Sequence, residues 1–156
     1  MGFKTGDLAK INHMARLVRK ELEAKYGETS EAMMGKCIEG TDKLVQYLKS
    51  VGLRAEAKQV WCLYEYFEGC TDYCFEEHWI VIVQKGTDKW FVDVTMDQFQ
   101  WAFSRQLNKI YIGAYLPNFY LTRKPGKGTL DKCGWNDWYN TGNYVNNFDY
   151  YGYNKR

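Results

Sequence analysis

The chain has no large excess of charge of either sign, no long apolar run and almost no histidine. Its 21 Lys and Arg stand against 19 Asp and Glu, a formal net charge of +2. So close a balance leaves no electrostatic footprint for a nucleic-acid backbone or an anionic membrane surface. The longest apolar stretches, such as Trp79 to Val83, fall far short of the roughly 20 residues that span a bilayer. The opening residues, Met1-Gly2-Phe3-Lys4-Thr5-Gly6, hold no apolar segment of the secretory type. Gly6 also stands where a myristoylation signal requires Ser or Thr. These absences predict a soluble, cytoplasmic protein with neither a nucleic-acid nor a membrane partner, and leave its oligomeric state open.

A regular cysteine framework is missing too. Cys37, Cys62, Cys70, Cys74 and Cys133 are odd in number and irregular in spacing. That pattern points to free thiols or a metal site rather than to a set of disulfides.

What is present fits one domain with a short appendage. Leu8, Ile11, Leu17 or Val18, Leu22 and Tyr26 recur at helical spacing and predict a first amphipathic helix, stopped by Gly27. A second helix is predicted from about Glu31 to Val51, with Cys37, Thr41, Leu44, Val45 and Leu48 on one face and Gly52 as its stop. Leu53 to Tyr64 reads as a strand, and Glu65 to Glu77 as a loop. His78 to Gln84 is an apolar run of the kind covered on both faces. A turn at Lys85 to Asp88 returns it as the partner strand Lys89 to Val94, a β-hairpin. Thr95 to Gln98 has the capping-box pattern, continued as a short helix by Phe99, Phe103 and Leu107. A further strand is predicted over Ile110 to Leu116. Helices followed by mainly antiparallel strands specify an α+β domain. After Arg123 the composition turns rich in Gly, Asn, Tyr and Trp, so residues 1–123 are read as the core and 124–156 as a C-terminal extension. The extension reads as partly disordered, as a strap over the core, or as an adaptable recognition surface.

Three residues carry potential chemistry. A cysteine reacts as thiolate, and a helix N-terminus or a neighbouring imidazole favours that form. Cys37 follows Met34-Gly35-Lys36 and leads into helical sequence, which places it in the first turn if the regular helix begins there. Its backbone N–H would then be free to donate to an oxyanion. His78 opens a strand, and the only other histidine, His13, lies on the polar side of the first helix. Asp93 stands among apolar neighbours in the partner strand, where an unpaired carboxylate is costly. The hairpin brings Asp93 towards His78, as a group that would fix the imidazole tautomer. Each residue also has a plain structural reading: a small buried thiol, a strand-edge histidine and a carboxylate paired for stability.

The order Cys, His, Asp resembles the transglutaminase-like branch of the papain-like thiol enzymes. Gly35-Lys36-Cys37 is similar to the family's helix start, and Leu48 to Ala55 to its helix-to-strand passage. His78-Trp79 is similar to the His-x-Trp region shortened by one residue, and Trp90-Phe91-Val92-Asp93-Val94-Thr95 to the W-x-x-D-x-T ending. The likeness runs from about Ala32 to Gln98. It implies N-terminal helices packed on an antiparallel sheet, with Cys37, His78 and Asp93 as a catalytic triad. It further implies acyl transfer or amide hydrolysis on a protein or peptide amide, without metal or other cofactor. The side-chain oxyanion donor that many relatives carry upstream of the cysteine is not evident. Gln59 and Trp61 are the alternatives on the following strand.

Two other readings use the same residues. Cys62, Cys70, Cys74 and His78, spaced C-x7-C-x3-C-x3-H, offer four zinc-capable side chains that would consume the base. A papain-like domain without chemistry would serve as a binding or inhibitory module.

Overall fold

The first apolar period builds the helix it predicts. α1 spans Thr5–Tyr26 and buries Ile11, Ala15, Val18 and Leu22, so Val18 rather than Leu17 faces the core. Gly27, at φ +113°, ends it. The computed structural model describes residues 4–65, 73–103, 106–117 and 119–124.

The second helix is shorter than its predicted span. Glu31–Met33 form a 3-10 turn, Gly35 takes φ +77°, and α2 runs over Cys37–Ser50. The left-handed geometry at Gly35 excludes an ordinary L side chain, and it divides what reads in sequence as one continuous helix. Cys37 thereby becomes the first helical residue. An isolated helix of this length is marginal in water. Burial of Leu44 and Leu48 contributes roughly 1.5–3 kcal/mol each. Packing, more than propensity, therefore holds α2 and the thiol at its head.

β1 (Arg54–Glu65) pairs along its whole length with β2 (Tyr73–Lys85). The strand begins before His78, so Tyr73 to Glu77 is not the loop its polar composition predicts. Pairing with β1 extends the ribbon although Glu76 and Glu77 stay exposed. Gly86, at φ +61°, turns the chain into β3 (Asp88–Asp93). A second 3-10 helix, Met96–Ala102, replaces the predicted capped helix. β4 is brief, Tyr111–Gly113, and β5, Tyr120–Leu121, has no counterpart in the sequence reading.

The strands form one antiparallel sheet in the order β4-β3-β2-β1-β5. One face packs on α1 and α2 through Val81, Val83 and Val92. The other carries a second core of Val60, Cys62, Ile80, Phe99, Phe119 and Tyr120. The architecture is α+β. Among the described residues no helix is long and apolar enough to cross a membrane. Of the expected C-terminal extension only Lys124 falls within the described residues.

Candidate active site

The hairpin register sets the first contact. Val81 lies opposite Val92 and the pairing ends there; the same register carried one residue on sets Asp93, at the end of β3, beside Ile80 and two residues from His78 on the neighbouring strand. Both side chains turn to the same face, and His78 Nε2 meets Asp93 Oδ2 at 2.7 Å. The pair is sealed: His78 is 0 % and Asp93 2 % exposed. Asp93 is held by two further donors. The Thr95 N–H donates to Oδ1 at 2.9 Å, and the Tyr120 hydroxyl donates to Oδ2 at 2.5 Å. A carboxylate with three donors can stay ionised inside a core. The imidazole is wedged edge-on against Phe99, at 4.8 Å between ring centroids, and tilted on Tyr120.

Cys37 reaches the same imidazole from the helix side. Past Ile80, β2 has no β3 neighbour. There Thr41 of α2 donates its hydroxyl to the Trp79 carbonyl at 3.1 Å and pins the helix beside His78. Gly40 allows the close approach: a Cβ in its place would lie 2.9 Å from Val94 Cγ2 and 3.1 Å from Leu22 Cδ1. Burial disfavours the charged imidazolium of His78. The Asp93 carboxylate and the Cys37 thiol outweigh burial and raise its pKa from 6.5 to about 9. His78 is therefore held as an imidazolium at neutral pH. Nδ1, the nitrogen left over from Asp93, is buried and finds no hydrogen-bond partner of normal geometry among the described residues. Cys37 still acts on the imidazole, as a hydrogen-bonding neighbour first and as a charge second, so the thiol lies beside the ring without a bond of strict geometry.

A cavity of about 290 Å³ opens over the thiol, lined by Met34, Gly35, Cys37, Glu76, Glu77, Gln98, Phe99 and Trp101. The α2 N-terminus leaves the N–H groups of its first turn without intrahelical acceptors, and Cys37 is its first residue. Gln98 is only 8 % exposed, and its Oε1 accepts the Thr95 hydroxyl at 3.0 Å. That bond fixes the side chain and leaves its amide N–H groups for the cavity. Gln59 and Trp61 do not line the cavity. In sequence Gln98 reads as the last member of a capping box. Thr95 makes no side-chain cap to the backbone and bonds the Gln98 side chain instead. Nothing in the sequence marked Tyr120, which depends on the short β5 pairing with β1. A larger cleft of about 430 Å³ between α1 and β4 contains none of the three expected catalytic residues.

The structure brings Cys37, His78 and Asp93 together, and leaves His13 exposed on α1. Of the alternative zinc set, Cys70 and the side chain of Cys74 lie outside the described residues, as does Cys133. Cys62 is buried, with its pKa pushed well up by that burial and then by the Asp93 charge. No cluster of three or more metal-capable side chains occurs among the described residues.

No known family model, curated protein or solved structure matches this chain.

Proposed function

We propose that the chain is a thiol enzyme of the transglutaminase-like or papain-like kind, acting on protein or peptide amides by acyl transfer. The observation that carries this reading is a helix-head cysteine that lines a cavity and bears from behind it on the imidazole of a buried His78–Asp93 pair. In the first half-reaction Cys37 Sγ attacks the substrate carbonyl carbon. The Cys37 N–H and the Gln98 amide donate to the developing oxyanion. His78 gives its proton to the leaving amine as the C–N bond breaks, and a thioester remains on Cys37. Water or an amine then attacks the thioester. His78 takes the proton from that nucleophile, and Cys37 leaves as thiolate. Asp93 holds the imidazole through both halves. Hydrolysis, deamidation and amine transfer share these steps and differ only in which acceptor and leaving group enter.

The test is the pH dependence of iodoacetamide labelling at each of the five cysteines, read by mass spectrometry. Wild type is compared with His78→Gln, and thermal melts report whether the variant is folded. Cys37 is expected to label fastest below neutral pH and to lose that advantage in the variant. Where His78→Gln does not fold, Asp93→Asn serves the same purpose. A Cys37 that labels no faster than the other thiols, or equally fast in the variants, refutes the enzyme. The fold would then be that of a binding module.

A further inference from the structure

We infer that the cavity over Cys37 is a subsite for a cationic side chain of the substrate, an alkylammonium or a guanidinium. The inference rests on Cys37 being the reacting thiol. Glu76 and Glu77 stand at its wall, and among the described residues no basic side chain lines it. Four other acids are paired with bases, Asp7 with Lys85, Glu23 with Arg19 and Lys109, Glu39 with Lys25 and Asp97 with Arg19, while exposed acids such as Glu56 and Asp88 stand outside this cavity. Within the described residues, neither Glu76 nor Glu77 forms an ion pair. Among the described residues no base neutralises this pair of charges at the cavity wall.

The rest of the wall fits the stem of such a group. Trp101 is 56 % and Met34 49 % exposed, large apolar surfaces turned outward beside the thiol. Tyr64 organises the subsite: its hydroxyl donates to Glu76 Oε1 at 3.2 Å, and its ring holds Trp101 edge-on with centroids 5.0 Å apart. A lysine or arginine would lay its methylenes along Met34 and Trp101 and carry its charge to the glutamates. The indole face adds attraction for a cation. Gln98 supplies the second sign of a ligand. It is nine-tenths buried, lines the cavity and has an amide nitrogen with no described partner. A carbonyl of the same substrate, one bond path away from the cationic side chain, satisfies it.

The experiment uses the full chain and three methanethiosulfonates at low salt: 2-aminoethyl (cationic), 2-sulfonatoethyl (anionic) and methyl (neutral). Rates at the Cys37 peptide are divided by the rates of the same reagents with free cysteine. The cationic reagent is expected to exceed the anionic one by about tenfold, the lower end of electrostatic focusing in clefts. The ratio should fall towards one in Glu76→Gln/Glu77→Gln and persist in Glu56→Gln/Asp88→Asn, whose exposed acids lie outside the cavity. No cationic preference, or one that survives Glu76→Gln/Glu77→Gln, overturns the subsite. The neutral reagent separates the two claims. Fast, His78-dependent reaction without charge preference leaves the thiol enzyme standing and removes the subsite. Slow reaction with cationic preference removes the thiol enzyme, and with it the substrate, and leaves only a cavity that attracts cations.

Discussion

Asp93 decides the chemistry of its neighbours, because every donor that reaches it is buried and has no alternative partner in view. His78, Tyr120 and the Thr95 N–H all converge on one carboxylate. Replacing it with Asn keeps the shape and removes the charge. Burial, the largest influence on His78, would then act with less opposition and push the imidazole pKa down from about 9. NMR titration of the ring protons in Asp93→Asn should show His78 losing its proton at lower pH than in wild type. Only His13 contributes a second histidine signal. An unchanged titration would mean that Asp93 is not the group that charges His78. The sequence made this pair legible, since a carboxylate in an apolar strand requires a partner and the hairpin turn supplies the register. It did not make the support of the pair legible. Tyr120 comes from 27 residues downstream in chain order and meets Asp93 only after β5 pairs with β1. Such a contact has no local period to announce it.

At the scale of elements, the site depends on how closely α2 approaches the end of β3. Gly40 is the position where that distance is set. A methyl group there would press on Val94 and Leu22, and Val94 lies between Asp93 and Thr95. Overpacking of this kind costs about 1–3 kcal/mol, offset in part by alanine's better helix propensity, about 1 kcal/mol. Gly40→Ala is expected to lower the unfolding free energy by a net of about 0–2 kcal/mol and to slow Cys37 labelling, as α2 shifts from His78. Labelling at the wild-type rate in a folded Gly40→Ala protein would show that the approach is not critical. α1 and α2 and the central hairpin were legible because their periods are long and regular. The break at Gly35 was legible only in part: a helix start just after Gly35 was open in the sequence, whereas the separate 3-10 turn at Glu31–Met33 reads there as more of the same helix. The second 3-10 helix was missed for a different reason. Arg19, buried on α1, grips Asp97 through both Nη atoms, at 2.6 and 2.8 Å, and also bonds the Val94 and Lys109 carbonyls. A tertiary ion pair, not local capping, dictates how Met96–Ala102 is laid down, and with it the places of Gln98 and Phe99.

For the whole molecule, the ionised groups divide stability into two flanks. Asp7 is held below the usual carboxylate range by the Lys85 hydrogen bond. Glu23 is held there by Arg19 against the effect of burial, and Glu39 by the Tyr26 hydroxyl. Depressed carboxylates stabilise the fold above their unfolded values, 3.8 for Asp and 4.5 for Glu, and that stability is lost as pH falls through the folded values. His78 works on the other side. Its folded value is raised, so its contribution is complete below 6.5 and disappears as pH climbs through about 9. Burial also raises Cys62 and Tyr120, which adds to the loss above that point. Stability should therefore be greatest between about pH 5 and 6.5 and decline already between 6.5 and 9. Urea unfolding across that range would measure it, with Asp93→Asn as the decisive comparison. If the His78–Asp93 pair is the cause, the variant is less stable at pH 6 but nearly flat from 6.5 to 9. A wild-type protein equally stable at pH 6.5 and 9 would show that the imidazolium is not present in the folded core. The thiolate it is proposed to support at Cys37 would then have no counter-charge.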